Sequence, residues 1–226
     1  MKEGIQKPIL EHMLTLKVGP DTLDELYALG WRHSGLEFYR YNLARYKNEW
    51  RNVIPLRIRL SEFRLSRSQR RTASRNSDTR TVIRPAEPNI EADELFMRHS
   101  SRFDERPPSS LAEYLFIPDP SRVPSETLEA AVFEADRLIA TSYFDVGRAS
   151  VSGIYAMFEP DEERRRLGIF TMLKEIEFAI ASGRSFYYLG YTYEGRSFYD
   201  YKKQFIGTEA FDWDGRWEPF ARRGSQ

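Results

Sequence analysis

Ala149-Ser150-Val151-Ser152-Gly153-Ile154-Tyr155-Ala156-Met157-Phe158, running into Glu159-Pro160-Asp161-Glu162-Glu163-Arg164-Arg165-Arg166-Leu167-Gly168-Ile169-Phe170, is the stretch on which the fold turns. Its first ten residues predict a strand, which Glu159 and Pro160 bring to an end. Asp161, Glu162 and Glu163 then form an acidic first turn. Ile169, Leu173, Ile176 and Ile180 recur at helical spacing as far as Gly183, so a helix follows the strand directly. Upstream, Leu128 to Glu134 and Arg137 to Asp145 read as two further strands, joined at Ala135-Asp136 and linked across Val146-Gly147-Arg148 to the third. The three make an antiparallel meander. Downstream, Ser185 to Tyr191 reads as a strand, Ser197 to Phe205 as a helix and Ala210 to Trp213 as a last short strand.

Antiparallel strands, a helix set straight onto a strand, then a parallel strand and another helix: this order resembles the core of the GNAT acyltransferases, a sheet with helices on both faces. In that core the donor's phosphates rest on the amino end of the central helix, where unpaired N–H groups and the helix dipole favour anions. The turn here is Arg164-Arg165-Arg166-Leu167-Gly168-Ile169-Phe170. Arg165 and Gly168 are similar to the coenzyme A pattern, but Phe170 stands where a second small residue belongs and is expected to obstruct a pyrophosphate.

Toward the amino terminus, Pro20 to Gly30 reads as a short helix capped by Asp21 or Thr22, and Leu36 to Asn42 and Val53 to Leu60 as two strands of a small sheet. Ser66 to Arg75 reads as a surface helix, Asn89 as the cap of a helix reaching about Arg102, and Ser110 to Phe116 as a short helix. Pro107, Pro108, Pro118, Pro120 and Pro124 mark a seam. The expected organisation is therefore α/β (α+β): a smaller α+β lobe over residues 1–106 and a GNAT-like catalytic core over 107–226.

The chain's 226 residues, 41% of them apolar, are enough to bury a core. No run of eighteen apolar residues occurs, and Met1 to Leu14 carries charges within its apolar pattern, which argues against a membrane span or a secretory signal and makes the cytoplasm the expected compartment. The absence of cysteine excludes disulfides, thiolate nucleophiles and cysteine metal sites, and His12, His33 and His99 stand in no ligand spacing; no metal and no cofactor are expected. Net charge is zero, yet Arg57 to Arg84 holds nine arginines, two acids and no lysine. Such a block suits bidentate recognition of phosphate or carboxylate, although a solvated basic helix has the same composition.

Several segments in order resemble the arginyl- and leucyl-tRNA protein transferase family. Gly30-Trp31-Arg32-His33-Ser34-Gly35 and Tyr39-Arg40 are similar to its early motif. Pro55-Leu56-Arg57-Ile58, Phe63, Ser66-Arg67-Ser68-Gln69-Arg70-Arg71, Asn76 and Asp78 are similar to its longer signature. Arg98-His99, the segment from Val151 to Asp161, Leu167-Gly168, Leu173-Lys174-Glu175-Ile176, Tyr187-Tyr188-Leu189-Gly190-Tyr191 and Tyr201-Lys202 continue the likeness. Two departures stand out. Tyr41 to Trp50 lacks the family's cysteine cluster, and Gly195-Arg196-Ser197-Phe198-Tyr199 replaces its Gly-Cys-Pro-Lys-Met.

The resemblance implies transfer of leucine or arginine from a charged tRNA, as co-substrate, to the amino terminus of a protein that starts with Asp or Glu. An aminoacyl ester is already activated, so the reaction needs alignment, an unprotonated amine and donors for the oxyanion, and no nucleophilic side chain. Arg57, Ser66, Gln69, Arg70, Arg71 and Asn76 are then expected to hold the tRNA acceptor end or the acceptor's acidic side chain. Tyr155, Glu159 and Asp161, at the end of the third core strand, are the catalytic candidates, with Glu159 or Asp161 taking or orienting the amine's proton; strand packing and helix capping are the competing reading. Tyr191, Tyr193, Tyr201 and Lys202 are suited to stacking the terminal adenosine or pairing its phosphate, and Arg98 and His99 to orienting the lobes or touching substrate. Three alternatives stay open: tRNA-dependent aminoacylation of a small-molecule amine, acetyl-CoA-dependent N-acetylation, and a catalytically silent RNA-binding module.

Overall fold

The computed structural model describes residues 7–103 and 108–220. Its strands are β1 (Leu10–Leu14), β2 (Arg32–Ser34), β3 (Glu37–Tyr41), β4 (Leu43–Tyr46), β5 (Glu49–Arg59), β6 (Thr79–Pro85), β7 (Thr127–Glu134), β8 (Arg137–Val146), β9 (Ser150–Phe158), β10 (Phe186–Tyr193), β11 (Thr208–Phe211) and β12 (Trp217–Pro219). Its α-helices are α1 (Pro20–Ala28), α2 (Arg67–Arg75), α3 (Ile90–Ser100) and α4 (Leu167–Ala181). No helix among these residues is long and apolar enough to cross a membrane.

The predicted meander is β7-β8-β9, and β10 pairs parallel to β9. The order is that of a GNAT-like core. The main sheet runs β12-β11-β5-β10-β9-β8-β7-β6 with β4 hydrogen-bonded to β5, and β1-β3-β2 form a separate small sheet. Two segments from the amino-terminal half are thus strands of the core: β5 lies between β10 and β11, and β6 forms the far edge. The small sheet expected to contain the Val53 to Leu60 strand instead consists of β1, β2 and β3. Burial explains the exchange, since Leu56 and Ile58 are completely buried among core residues of α4 and β10. The expected seam between residues 106 and 107 lies outside the described residues.

Helices cover both faces. Leu173, Ile176 and Ala179 of α4 pack with Phe144, Val151 and Tyr187 on one side, while Leu95 and Phe96 of α3 pack with Tyr143 and Met157 on the other. Adjacent Tyr143 and Phe144 thus face opposite helices, as strand alternation requires. α1 docks separately, with Leu23 and Tyr27 against Phe38 and Tyr188.

Several local expectations shift. Gly19, with no side-chain cap bond, precedes α1, and Pro20 begins it, so neither Asp21 nor Thr22 is the cap. The acidic turn after β9 is a separate 3₁₀ segment, Pro160–Arg165; Arg166 has left-handed dihedrals (φ 55°) and α4 starts at Leu167. Ile180, expected on the core stripe, is 48% exposed. The helices predicted near Ser110 and Ser197 are 3₁₀ turns, Leu111–Glu113 and Phe198–Gln204. Phe170, expected to obstruct a phosphate site, is buried with Val132, Ile139 and Leu167; the ring lying over Gly168 is that of Phe158, 3.0 Å from where a Cβ would stand.

Candidate active site

β9 and β10 pair at only three positions, Phe186 with Ser150, Tyr187 with Val151 and Tyr188 with Ser152. Beyond them β9 stays with β8 and β10 with β5, each across a register shift, one between Tyr143 and Phe144 and one between Tyr188 and Gly190. Bulges sharpen local twist and bend a strand, so the two parallel strands part like a fork. Backbone groups at such a parting lack ladder partners and must find others.

Arg32 supplies some of them. From β2 its guanidinium donates to the Ser152 hydroxyl and to the Gly153 carbonyl. Lys202, on the Phe198–Gln204 turn, donates from Nζ to the Tyr191 carbonyl at 3.1 Å and lies 5.1 Å from the Tyr199 ring centre. The two cations flank Gly190, whose φ is +82° and where a Cβ would stand 3.3 Å from Lys202 Nζ and 3.6 Å from Arg32 Nε. A side chain at that position would be strained and would press on both cations. Burial, helped by the Arg32 charge, lowers the Lys202 ammonium to about 7.

Tyrosines line the approach. Tyr39 stacks on Tyr41 at 5.8 Å, and burial raises the pKa of its phenol, which also feels Arg32 and Tyr199. Tyr199 packs on Tyr193 at 5.8 Å, and Tyr155 stacks on Tyr114 at 4.0 Å. Under the fork, Glu175 of α4 accepts from the Tyr187 hydroxyl at 2.6 Å, and burial raises its carboxyl to about 7.

The residue that aims Arg32 is its neighbour. Buried His33 places Nε2 2.5 Å from Asp145 Oδ2, an oxygen that also accepts from the Tyr27 hydroxyl, while Ser125 and Thr127 donate to Oδ1. Burial alone would raise the Asp145 carboxyl, but the His33 charge and these donors hold it below its usual value. Asp145 pairs with Ser152 in the sheet, so consecutive residues of β2 grip adjacent strands, and the small sheet is anchored at the fork.

The arginine-rich segment lies at the start of α4. Arg75 donates to the Arg164 carbonyl at 2.9 Å, Asn76 Nδ2 to the Arg165 carbonyl at 2.9 Å, and Arg166 to the Ser68 hydroxyl at 2.5 Å. Arg165 bridges Asp78, at 2.7 Å, Glu134 and Glu162. Arg75, Arg164 and Arg165 line an open hollow of about 460 Å³ beside the first turn of α4.

The residues predicted from sequence separate into those at the fork, those on this basic surface and those the fold uses elsewhere. Lys202 is in the fork, with Tyr193 near it through Tyr199. Arg70 and Arg71 are exposed on α2. Ser66 and Gln69 form a capping box, hydroxyl to backbone at 3.2 Å and amide oxygen to backbone at 2.8 Å, which stabilises the start of α2 by about 1 kcal/mol. Arg57 is buried against Glu209 at 2.7 Å, between the rings of Phe186 and Trp217. Asn76 bridges α2 to Arg165.

On the other arm, Glu159 is buried and held by Arg98 at 2.9 Å, so it ties α3 to the end of β9 and its oxygens are not turned to the fork. Asp161 is exposed on the turn beyond. Tyr155 faces α3, packing near Phe96 and His99. His99 Nδ1 lies 3.2 Å from the Phe158 carbonyl, and burial lowers it to about 4, so the ring is neutral at pH 7. Tyr191 spends its hydroxyl on the Gly30 carbonyl at 2.6 Å, and Tyr201 packs at the edge of the α4 core. Arg32 and Glu175 were given no role by the sequence, although Glu175 interrupts an apolar stripe between Met172, Ile176 and Ala179.

Residues 91–212 match the family model for the C terminus of arginine-tRNA-protein transferase. The chain is 30% identical over 218 residues to the aspartate/glutamate leucyltransferase of Stenotrophomonas maltophilia, covering 92% of this chain and 85% of that protein. It is also 30% identical over 201 residues to the enzyme of that name from Shewanella oneidensis, covering 88% and 82%. Among solved structures it is similar to FemX, with a TM-score of 0.53 and 11% identity over 83% of this chain and 65% of that one.

Proposed function

This chain belongs to the arginine-tRNA-protein transferase family and is an aminoacyltransferase, and from that premise we propose that it moves leucine from charged tRNA to the amino terminus of proteins beginning with aspartate or glutamate. The name shared by the relatives favours leucine over arginine and supplies the acceptor. The observation that carries the reading at atomic level is the fork: two cations on either side of a glycine, at the point where a GNAT-like sheet opens.

In this reading the aminoacyl ester enters the fork with its carbonyl toward Arg32, whose fixed charge stabilises the oxyanion as the acceptor amine adds. The new C–N bond forms, and the ester C–O bond to the terminal ribose breaks. Lys202, lowered to about 7, is about half unprotonated at neutral pH. It takes the proton leaving the amine and returns one to the departing ribose oxygen. The exposed arginines of α2 hold phosphates of the acceptor stem by charge, a binding that weakens with salt. Phe158 over Gly168 weighs against acetyl-CoA as the donor.

The test is incubation of the full chain with leucyl- or arginyl-tRNA and peptides that start with Asp, Glu or Ala, with arms containing a free small amine or acetyl-CoA. The expected result is leucine on Asp- and Glu-starting peptides only. Consumption of charged tRNA only with the free amine, acetylation, or tRNA binding without transfer would each replace the reading.

A further inference from the structure

The transfer reaction leaves the acid beneath the fork unused. Glu175 is 2% exposed in the middle of α4, where an apolar side chain would fill the same volume at no desolvation cost; a carboxyl persists in such surroundings only with partners. The groups facing it are the Ser142 side chain from β8 and the Arg32 charge from β2, together with the Tyr187 hydroxyl from β10, at 2.6 Å, with Tyr201 of the Phe198–Gln204 turn within its field.

Gly153 is the point where these meet. A Cβ there would stand 3.1 Å from Glu175 Oε2 and 3.0 Å from the Tyr187 hydroxyl oxygen, while its carbonyl accepts from Arg32. Val151, two residues earlier, faces α4, and the intervening Ser152 faces Arg32. Carboxyl and guanidinium therefore address one short piece of β9 from opposite faces, and the absent side chain lets the carboxyl approach. Arg32 and Lys202 bring two cations together at Gly190, and Glu175 is the buried acid set against them.

We propose that Glu175 is a positioning residue of the transfer reaction, a counter-charge beneath the fork that holds the Arg32 guanidinium on Ser152 and Gly153, aimed at the reacting carbonyl. This rests on the reading of the fork as the site of aminoacyl transfer. Glu175→Gln keeps the shape and can still accept from Tyr187 but removes the charge. In the full chain it is expected to lower kcat by up to about 100-fold, the order of loss that a misplacement of about 1 Å produces, with KM for charged tRNA unchanged.

The pH profile separates positioning from packing. Tyr187→Phe removes a hydrogen bond that favours the carboxylate, so Glu175 ionises at higher pH and the acid limb of kcat moves upward; in Glu175→Gln that component of the limb is lost. Wild-type kcat and an unmoved acid limb in both variants would overturn the proposal, as would a loss of activity accounted for by a lowered Tm alone. If Glu175→Gln does not fold, the Tyr187→Phe limb decides by itself. A wild-type chain that transfers no amino acid would instead overturn the functional reading on which the proposal stands.

Discussion

The molecule carries two cationic regions built in opposite ways. At the fork two cations, Arg32 and Lys202, are partly buried and held by backbone carbonyls; on α2 Arg67, Arg70 and Arg71 are exposed to solvent. A charge near low-dielectric walls acts strongly on a group a few ångströms away, whereas exposed charges are screened within about 10 Å at ordinary salt. Position outweighs number. Half-buried cations suit a developing oxyanion, and exposed ones suit a polyanion that must be held in register and released.

The contrast is broken most directly at Arg32. Arg32→Ala is expected to lower kcat for leucine transfer by about 100-fold or more, the scale of losing a preorganised oxyanion donor, while binding of charged tRNA changes little; equal losses in both would dissolve the distinction. Next comes Lys202→Met, expected to cost about 100-fold, the low end of what a proton-transfer group contributes. Because the Lys202 amine is lowered to about 7, it is protonated and inactive as a base below that value and free above it. Wild-type kcat should therefore rise with pH through about 7, and a limb unchanged in Lys202→Met would remove the base role.

On the surface the sign of the effect differs. The double variant Arg70→Ala, Arg71→Ala should weaken tRNA binding several-fold at moderate salt and reduce the salt dependence by roughly 0.7 to 0.9 for each phosphate no longer neutralised, with kcat at saturation retained. A fall in saturated kcat would give α2 a part in the chemistry. The smallest effect on transfer is expected of Glu159→Gln. With the Arg98 guanidinium facing a buried amide in place of a carboxylate, stability should fall by about 1 to 3 kcal/mol in a denaturant titration, while the kcat pH profile keeps its shape.

How much of the molecule is legible in its sequence follows from what each element depends on. The meander and α4 are written in local periodicity, and their order was enough for a GNAT-like core. β5 could be seen as a strand but not placed, because alternation gives a face and says nothing of which distant strand completes the ladder. The Ser66 to Asn76 signature drew attention for its charge, yet Ser66, Gln69 and Asn76 are spent on a capping box and on the carbonyl of Arg165. Composition does not distinguish a side chain that binds a ligand from one that binds its own backbone. Lys202 was singled out as a cation, but the burial that lowers its pKa exists only once the Phe198–Gln204 turn lies against β10. Glu175 does leave a trace, an acid inside the apolar stripe of α4, and a helical wheel marks it; what faces it comes from β2, β8, β9 and β10.

The seating of β5 in the middle of the main sheet has a consequence for how the polypeptide is made. Arg57 and its partner Tyr188 are 131 positions apart, so as the ribosome delivers the chain, β5 emerges long before β10 or β11 exists to receive it. Its apolar Leu56 and Ile58 stay uncovered through most of translation, and long-range pairing of this kind folds slowly. Maturation thus ends with the late strands closing around an early one, which makes the half-synthesised chain the form most dependent on chaperone protection.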